Sequence, residues 1–121
     1  MANERDVTPL TTVPPEVDGL RRRIDVIDDQ LMKLLNSRSA CAVEIGRLKR
    51  RFGMAVYQPD REAWILERVE VNNPGPLDSG AVRRVFERVI DEGRRLERLA
   101  QQESERVGRA RGPVPPEREG E

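Results

Sequence analysis

The stretch Glu16 to Arg51, EVDGLRRRIDVIDDQLMKLLNSRSACAVEIGRLKRR, contains no proline, and Gly19 and Gly46 are its weak points as a helix. Leu20, Ile24, Ile27, Leu31, Leu34, Ala42 and Ile45 recur in it at helical spacing. The spacing predicts one helix over the whole stretch, against a mean of roughly 11–12 residues in globular proteins. At about 1.5 Å of rise per residue, such a helix outruns what two shorter helices of the same chain can cover. It is expected to lie beside its own copy in a homodimer, sharing a core that one chain lacks. The alternative is a monomeric three-helix bundle with frayed ends.

Two further helical segments follow. Gly53 fits a C-terminal stop, and Pro59 fits the first turn of a second helix, with Asp60 and Glu62 near its positive end. That helix is expected to end near Val71, before the breaker run Asn72, Asn73, Pro74, Gly75 and Pro76. Asp78 or Ser79 can cap a third helix reaching about residue 102. No alternating run of β-branched or aromatic residues reads as a strand. The expected fold is all-α, with one long, one short and one medium helix forming an intertwined homodimer. The domain spans 16–103, after a flexible segment 1–15 and before a disordered tail 104–121, since Arg111 to Glu121 is built from Arg, Gly, Pro and Glu with a single Val.

Composition supports reliance on a partner. Only 36% of residues are hydrophobic and 3% aromatic, while 36% are charged. Lys plus Arg and Asp plus Glu both number 22, so no global basic field favours nucleic acid. The first residues lack the apolar run of a signal peptide, and no stretch is long enough to span a bilayer. A cytoplasmic protein with no nucleic-acid or membrane partner is expected. Histidine is absent and Cys41 is the sole cysteine, which removes the usual hydrolase machinery and most metal sites. Cys41 reads as a small buried residue and Trp64 as core or interface.

The apolar stripe carries two cations. With Leu20 at zero and about 100° per residue, Arg38 falls at about 0° and Lys49 at about 20°, amid Ile24, Ile27, Leu31 and Ile45. An unpaired buried charge costs several kcal/mol, on the order of what a single domain can spare. Lys49, near the helix end, can snorkel along its aliphatic stem. Arg38, in mid-helix, needs either an internal partner, with Glu44, Glu62 or Glu97 as candidates, or a bound dianion. Periodicity leaves these two readings even. On the third helix Gly93 and Glu97 share the face of Val82, Phe86, Val89 and Ile90, so a carboxylate also points inward. A glycine there costs roughly 1 kcal/mol relative to alanine and implies that space is needed beside it, or an ordinary close helix crossing.

The runs Leu20-Arg21-Arg22-Arg23-Ile24-Asp25, Leu34-Leu35-Asn36-Ser37-Arg38, Glu44-Ile45-Gly46-Arg47-Leu48-Lys49 and Asp60-Arg61-Glu62, with the gaps between them, resemble the all-helical chorismate mutases. The resemblance implies an intertwined dimer with two sites that converts chorismate to prephenate by a Claisen rearrangement, in the synthesis of aromatic amino acids, without a cofactor or metal. It implies that Arg21 reaches the partner's site and, with Arg38, grips substrate carboxylates. Lys49 would donate to the ether oxygen, Arg61 would add positive potential, and Glu62 would accept from the ring hydroxyl. Gln58 stands where the family often has aspartate, and Gly93 where a serine often contacts the ring carboxylate, a contact left to a backbone group or Arg94. Glu97 stands where glutamine is common as second donor to the ether oxygen. An ionised glutamate cannot donate, so Glu97 is expected to act protonated, with activity rising toward acid pH.

Such a site needs no base. A pericyclic step moves no proton, so catalysis reduces to holding the reactive conformer and stabilising charge developing on the ether oxygen. Two other functions fit the same residues: an isochorismate-pyruvate lyase of the same fold, against which the fuller loop between the first two helices counts, and a non-catalytic helical dimer or regulatory module.

Overall fold

The computed structural model describes residues 12–111, and over these it contains three helices and no strand. Helix α1 spans Pro15–Arg51, α2 Pro59–Asn72 and α3 Ser79–Arg111, with 37, 14 and 33 residues. The chain divides into two units, residues 1–34 and 35–121. The described part of the first is the stripe-bearing helix from Pro15 to Leu34, whose Leu20, Ile24, Ile27, Leu31 and Leu34 are all at least half exposed. The second holds the rest of α1 together with α2 and α3.

Each boundary in the second unit has a local cause. Helix α1 stops at Gly53, which takes φ of 69°, a conformation that costs glycine little. The Gly53 amide donates to the Arg50 carbonyl at 3.2 Å and that of Met54 to the Lys49 carbonyl at 2.7 Å, the paired bonds of a Schellman turn. Pro59 opens α2 with Asp60 and Glu62 in its first turn. Asp78 caps α3, its Oδ1 accepting from the Ala81 amide at 2.7 Å.

Helix α3 runs past its expected end at about residue 102 to Arg111. The extra turns, Glu103 to Arg111, are built largely from Glu, Arg and Ala, good helix formers despite their lack of apolar bulk. An ion pair from Arg50 of α1 to Glu105 at 2.8 Å ties them to the end of the first helix. Residues 1–11 of the expected leading segment and 112–121 of the expected tail lie outside the described residues.

The second unit closes on small residues. Ala42, Ile90 and Ala100 are its buried hydrophobic side chains, and Gly46 and Gly93 are buried beside them. Ala42 and Gly46 stand one turn apart on α1, and Gly93 and Glu97 one turn apart on α3, so these pairs form a seam along which the helices cross. Contact is closest at Gly46, where an added Cβ would lie 2.5 Å from the Glu97 carbonyl oxygen. Among the described residues no helix is long and apolar enough to cross a membrane.

Candidate active site

The seam sets the position of the charged groups beside it. Arg38 lies one turn before Ala42, and Lys49 nearly one turn after Gly46, so the crossing of α1 and α3 sits between the two cations. At Gly93 an added Cβ would lie 3.2 Å from Arg38 Nη1, so the bare backbone leaves room for the guanidinium. The inward placement expected for Arg38, Lys49, Gly93 and Glu97 thus brings them together around one cleft.

The cleft has a volume of about 480 Å³ and lies wholly in the second unit, between the α1 segment, α2, α3 and the loop before α2. Arg38, Lys49, Gln58, Arg61, Glu62, Gly93, Arg94 and Glu97 supply its polar lining, and Ala42, Ile45, Val56, Ile65 and Ile90 its apolar lining. Four cations face two carboxylates there, so the lining carries a positive excess suited to an anion.

Lys49 is the most constrained of these groups. Its side chain is 12% exposed, and its ammonium donates to Glu97 Oε1 at 2.7 Å and to the Val56 carbonyl at 2.8 Å. The Schellman turn makes the second bond possible, because it folds residues 54–58 back over the end of α1. An ammonium has three N–H donors, so one remains for a ligand. Snorkelling to solvent does not describe this lysine.

The three internal partners considered for Arg38 are engaged elsewhere. Glu44 pairs with Arg47 at 3.4 Å, Glu62 with Arg94 at 3.6 Å and Glu97 with Lys49. Among the described residues Arg38 makes no ion pair, which favours the dianion reading over the internal salt bridge. Arg61 also lacks a carboxylate there and lies over the Trp64 ring at 4.8 Å. Gln58, at the start of α2, donates through Nε2 to the Ala55 carbonyl at 3.1 Å rather than capping the helix. Arg21 belongs to the first unit, where it is exposed on α1 and unpaired among the described residues.

One expectation about a single residue changes, and another narrows. Cys41 is exposed and lines the cleft, because it stands on the flank of the stripe rather than at its centre. Trp64 is 49% exposed within the chain, beneath Arg61 and Arg68, so of its two readings, core or interface, the structure removes the core. The sequence reading also missed the Val56 carbonyl and Tyr57. A backbone acceptor leaves no residue signature, and Tyr57 matters only through Arg94, whose guanidinium lies 5.3 Å from its ring centroid.

Comparison with known proteins agrees with this geometry. The sequence model of the family described as chorismate mutase type II matches residues 20–98, well over half of the chain. A bifunctional chorismate mutase/prephenate dehydratase from Pseudomonas aeruginosa is 35% identical over 80 residues, 62% of this chain and 22% of that protein. The chain therefore spans about a fifth of the length of that relative. A chorismate mutase from Methanocaldococcus jannaschii is 24% identical over 87 residues, 71% of this chain and 88% of that one. Among solved structures, chorismate mutase form II from Thermus thermophilus superposes with a TM-score of 0.68 at 30% identity, covering 69% of this chain and 94% of that chain. With the cations of the stripe gathered in one cleft inside the matched segment, the chain belongs to the chorismate mutase type II family.

Proposed function

We propose that this chain is a chorismate mutase, an isomerase that rearranges chorismate to prephenate for aromatic amino acid synthesis. The observation that carries the proposal is the Lys49 ammonium, fixed by Glu97 and Val56 with one donor left, in a cleft whose cations outnumber its carboxylates. In the rearrangement the ether C–O bond breaks as a C–C bond forms. No proton is transferred and nothing is oxidised, so donors and cations suffice. Lys49 donates to the ether oxygen as charge builds there, and Glu97, when protonated, supplies the second donor. Arg38 binds a substrate carboxylate, Arg61 adds positive potential, and Glu62 and Gln58 meet the ring hydroxyl. Gly93 leaves the ring carboxylate without a side-chain hydroxyl partner.

The working form is an intertwined homodimer in which Arg21 enters the site of the other copy. The exposed stripe of the first unit supports this reading, as does the scarcity of large buried side chains in the second. So does a groove of about 780 Å³ lined by Leu35, Val43, Val85, Val89 and Leu96 on α1 and α3, a surface a second copy can fill. Cytoplasmic residence belongs to the same proposal.

The test is purified protein incubated with chorismate, following loss of the diene absorbance and identifying the product. Prephenate supports the proposal. Inert protein, or conversion of isochorismate with release of pyruvate in place of chorismate turnover, refutes it.

A further inference from the structure

Arg94 stands next to Gly93 on α3 and holds groups from three parts of the chain. Its Nη2 donates to Asp91 Oδ1 at 2.6 Å on the same helix. Its Nε lies 3.6 Å from Glu62 Oε2 on α2, and its guanidinium carbon lies over the Tyr57 ring, 5.3 Å from the centroid, in the loop before α2. A planar guanidinium can meet a carboxylate along one edge while stacking an aromatic ring on its face, which a lysine cannot do. The side chain is 27% exposed, so the contacts are partly shielded from water.

Tyr57 adjoins Val56, whose carbonyl fixes one of the two occupied donors of Lys49. Beyond the Met54 amide on the Lys49 carbonyl and the Gln58 carbonyl, which accepts from the Glu62 amide at 3.1 Å, residues 54–58 have few side-chain ties: Met54 and Tyr57 are about half exposed, and the Gln58 side chain bonds to the Ala55 carbonyl within the loop. We infer that Arg94 is a positioning residue that clamps Tyr57 and Glu62 to α3, and so sets the direction of the Lys49 ammonium and of the Glu62 carboxylate. The inference rests on the chorismate mutase reading and goes beyond it, because it gives Arg94 a role through other residues rather than a contact with the substrate carboxylate.

The test compares kcat and KM for chorismate in wild type, Arg94→Ala, Arg94→Lys, Tyr57→Phe, Tyr57→Leu and the double variant Arg94→Ala/Tyr57→Leu, with folding checked by circular dichroism. A clamp predicts that Arg94→Ala lowers kcat roughly ten-fold or more while KM changes little, because the lost geometry matters in the transition state. Arg94→Lys retains the charge and is expected to recover only part of the loss. Tyr57→Phe keeps the stacked ring and is expected to match wild type, and Tyr57→Leu to lower kcat. The double variant is expected to be no worse than Arg94→Ala, since both changes release the same loop. A raised KM at unchanged kcat in Arg94→Ala, or losses that multiply in the double variant, overturns the inference while leaving the mutase reading intact. A wild-type protein inert toward chorismate overturns the mutase reading, and this inference with it.

Discussion

Gly46→Ala is the substitution for which local propensity and tertiary packing predict opposite signs. A methyl group at position 46 would sit 2.5 Å from the Glu97 carbonyl oxygen and 2.7 Å from its Cα. Ordinary contact begins near 3.4 Å, so α1 and α3 must part by roughly 1 Å at the seam. The obstructing atoms are backbone, and no rotamer change relieves the overlap. Overpacking of this kind costs about 1–3 kcal/mol, against a gain of up to about 1 kcal/mol from alanine's helix propensity. The net expectation is a loss of about 1–2 kcal/mol, or a fall in Tm of roughly 4–8 °C for each kcal/mol in a domain of this size. Because the displaced residue is Glu97 itself, chorismate turnover should fall with it, by up to about a hundred-fold. Gly108→Ala is the control: nothing lies within 4 Å of an added Cβ there, and a gain of no more than about 1 kcal/mol is expected. Thermal unfolding by circular dichroism at a fixed protein concentration, together with turnover, reads both variants. A Gly46→Ala protein as stable as wild type and fully active refutes the packing argument.

Three further outcomes follow from the same geometry. Arg38→Ala is expected to lower kcat/KM by roughly a hundred-fold or more without loss of stability, since no carboxylate is left unpaired; unfolding midpoints measured beside turnover check both halves. Glu97→Gln keeps an acceptor for Lys49 and adds an N–H donor toward the ether oxygen, so turnover is expected to be retained; a folded but inactive Glu97→Gln protein counts against the role given to Glu97. Arg21→Ala and Lys49→Ala proteins, each nearly inactive alone, are expected to regain about a quarter of wild-type activity when unfolded and refolded together, because half of the dimers are mixed and each of those holds one intact site. Absence of recovery argues against a shared site.

Much of the fold was readable because its signals are local. The proline-free stretch, the breaker run from Asn72 to Pro76, and the stop and cap residues Gly53 and Asp78 each act within a few positions, so the starts of all three helices and the ends of the first two emerge close to their observed bounds. The inward positions of Arg38, Lys49, Gly93 and Glu97 were equally accessible, since helical periodicity fixes which face a residue occupies. What faces it from another helix is not so fixed. Gly46 reads in sequence as a weak point, and its value lies only in the nearness of the Glu97 backbone, some fifty positions away. The acceptor at Val56 depends on how a turn folds back, and the pairing of Arg50 with Glu105 joins residues far apart in sequence. Composition alone reads the α3 extension as tail, because charged helix formers and charged disordered segments use the same residues.

The most direct test concerns the ammonium held between Glu97 and Val56. Turnover of chorismate by wild type and by Lys49→Ala, with product identified and folding confirmed by circular dichroism, addresses it in one experiment. Prephenate as the sole product of wild type, with kcat/KM of the variant lower by roughly a hundred-fold or more, is the predicted result. A folded Lys49→Ala protein that turns over chorismate as wild type does, or a wild type that leaves chorismate unchanged, contradicts it.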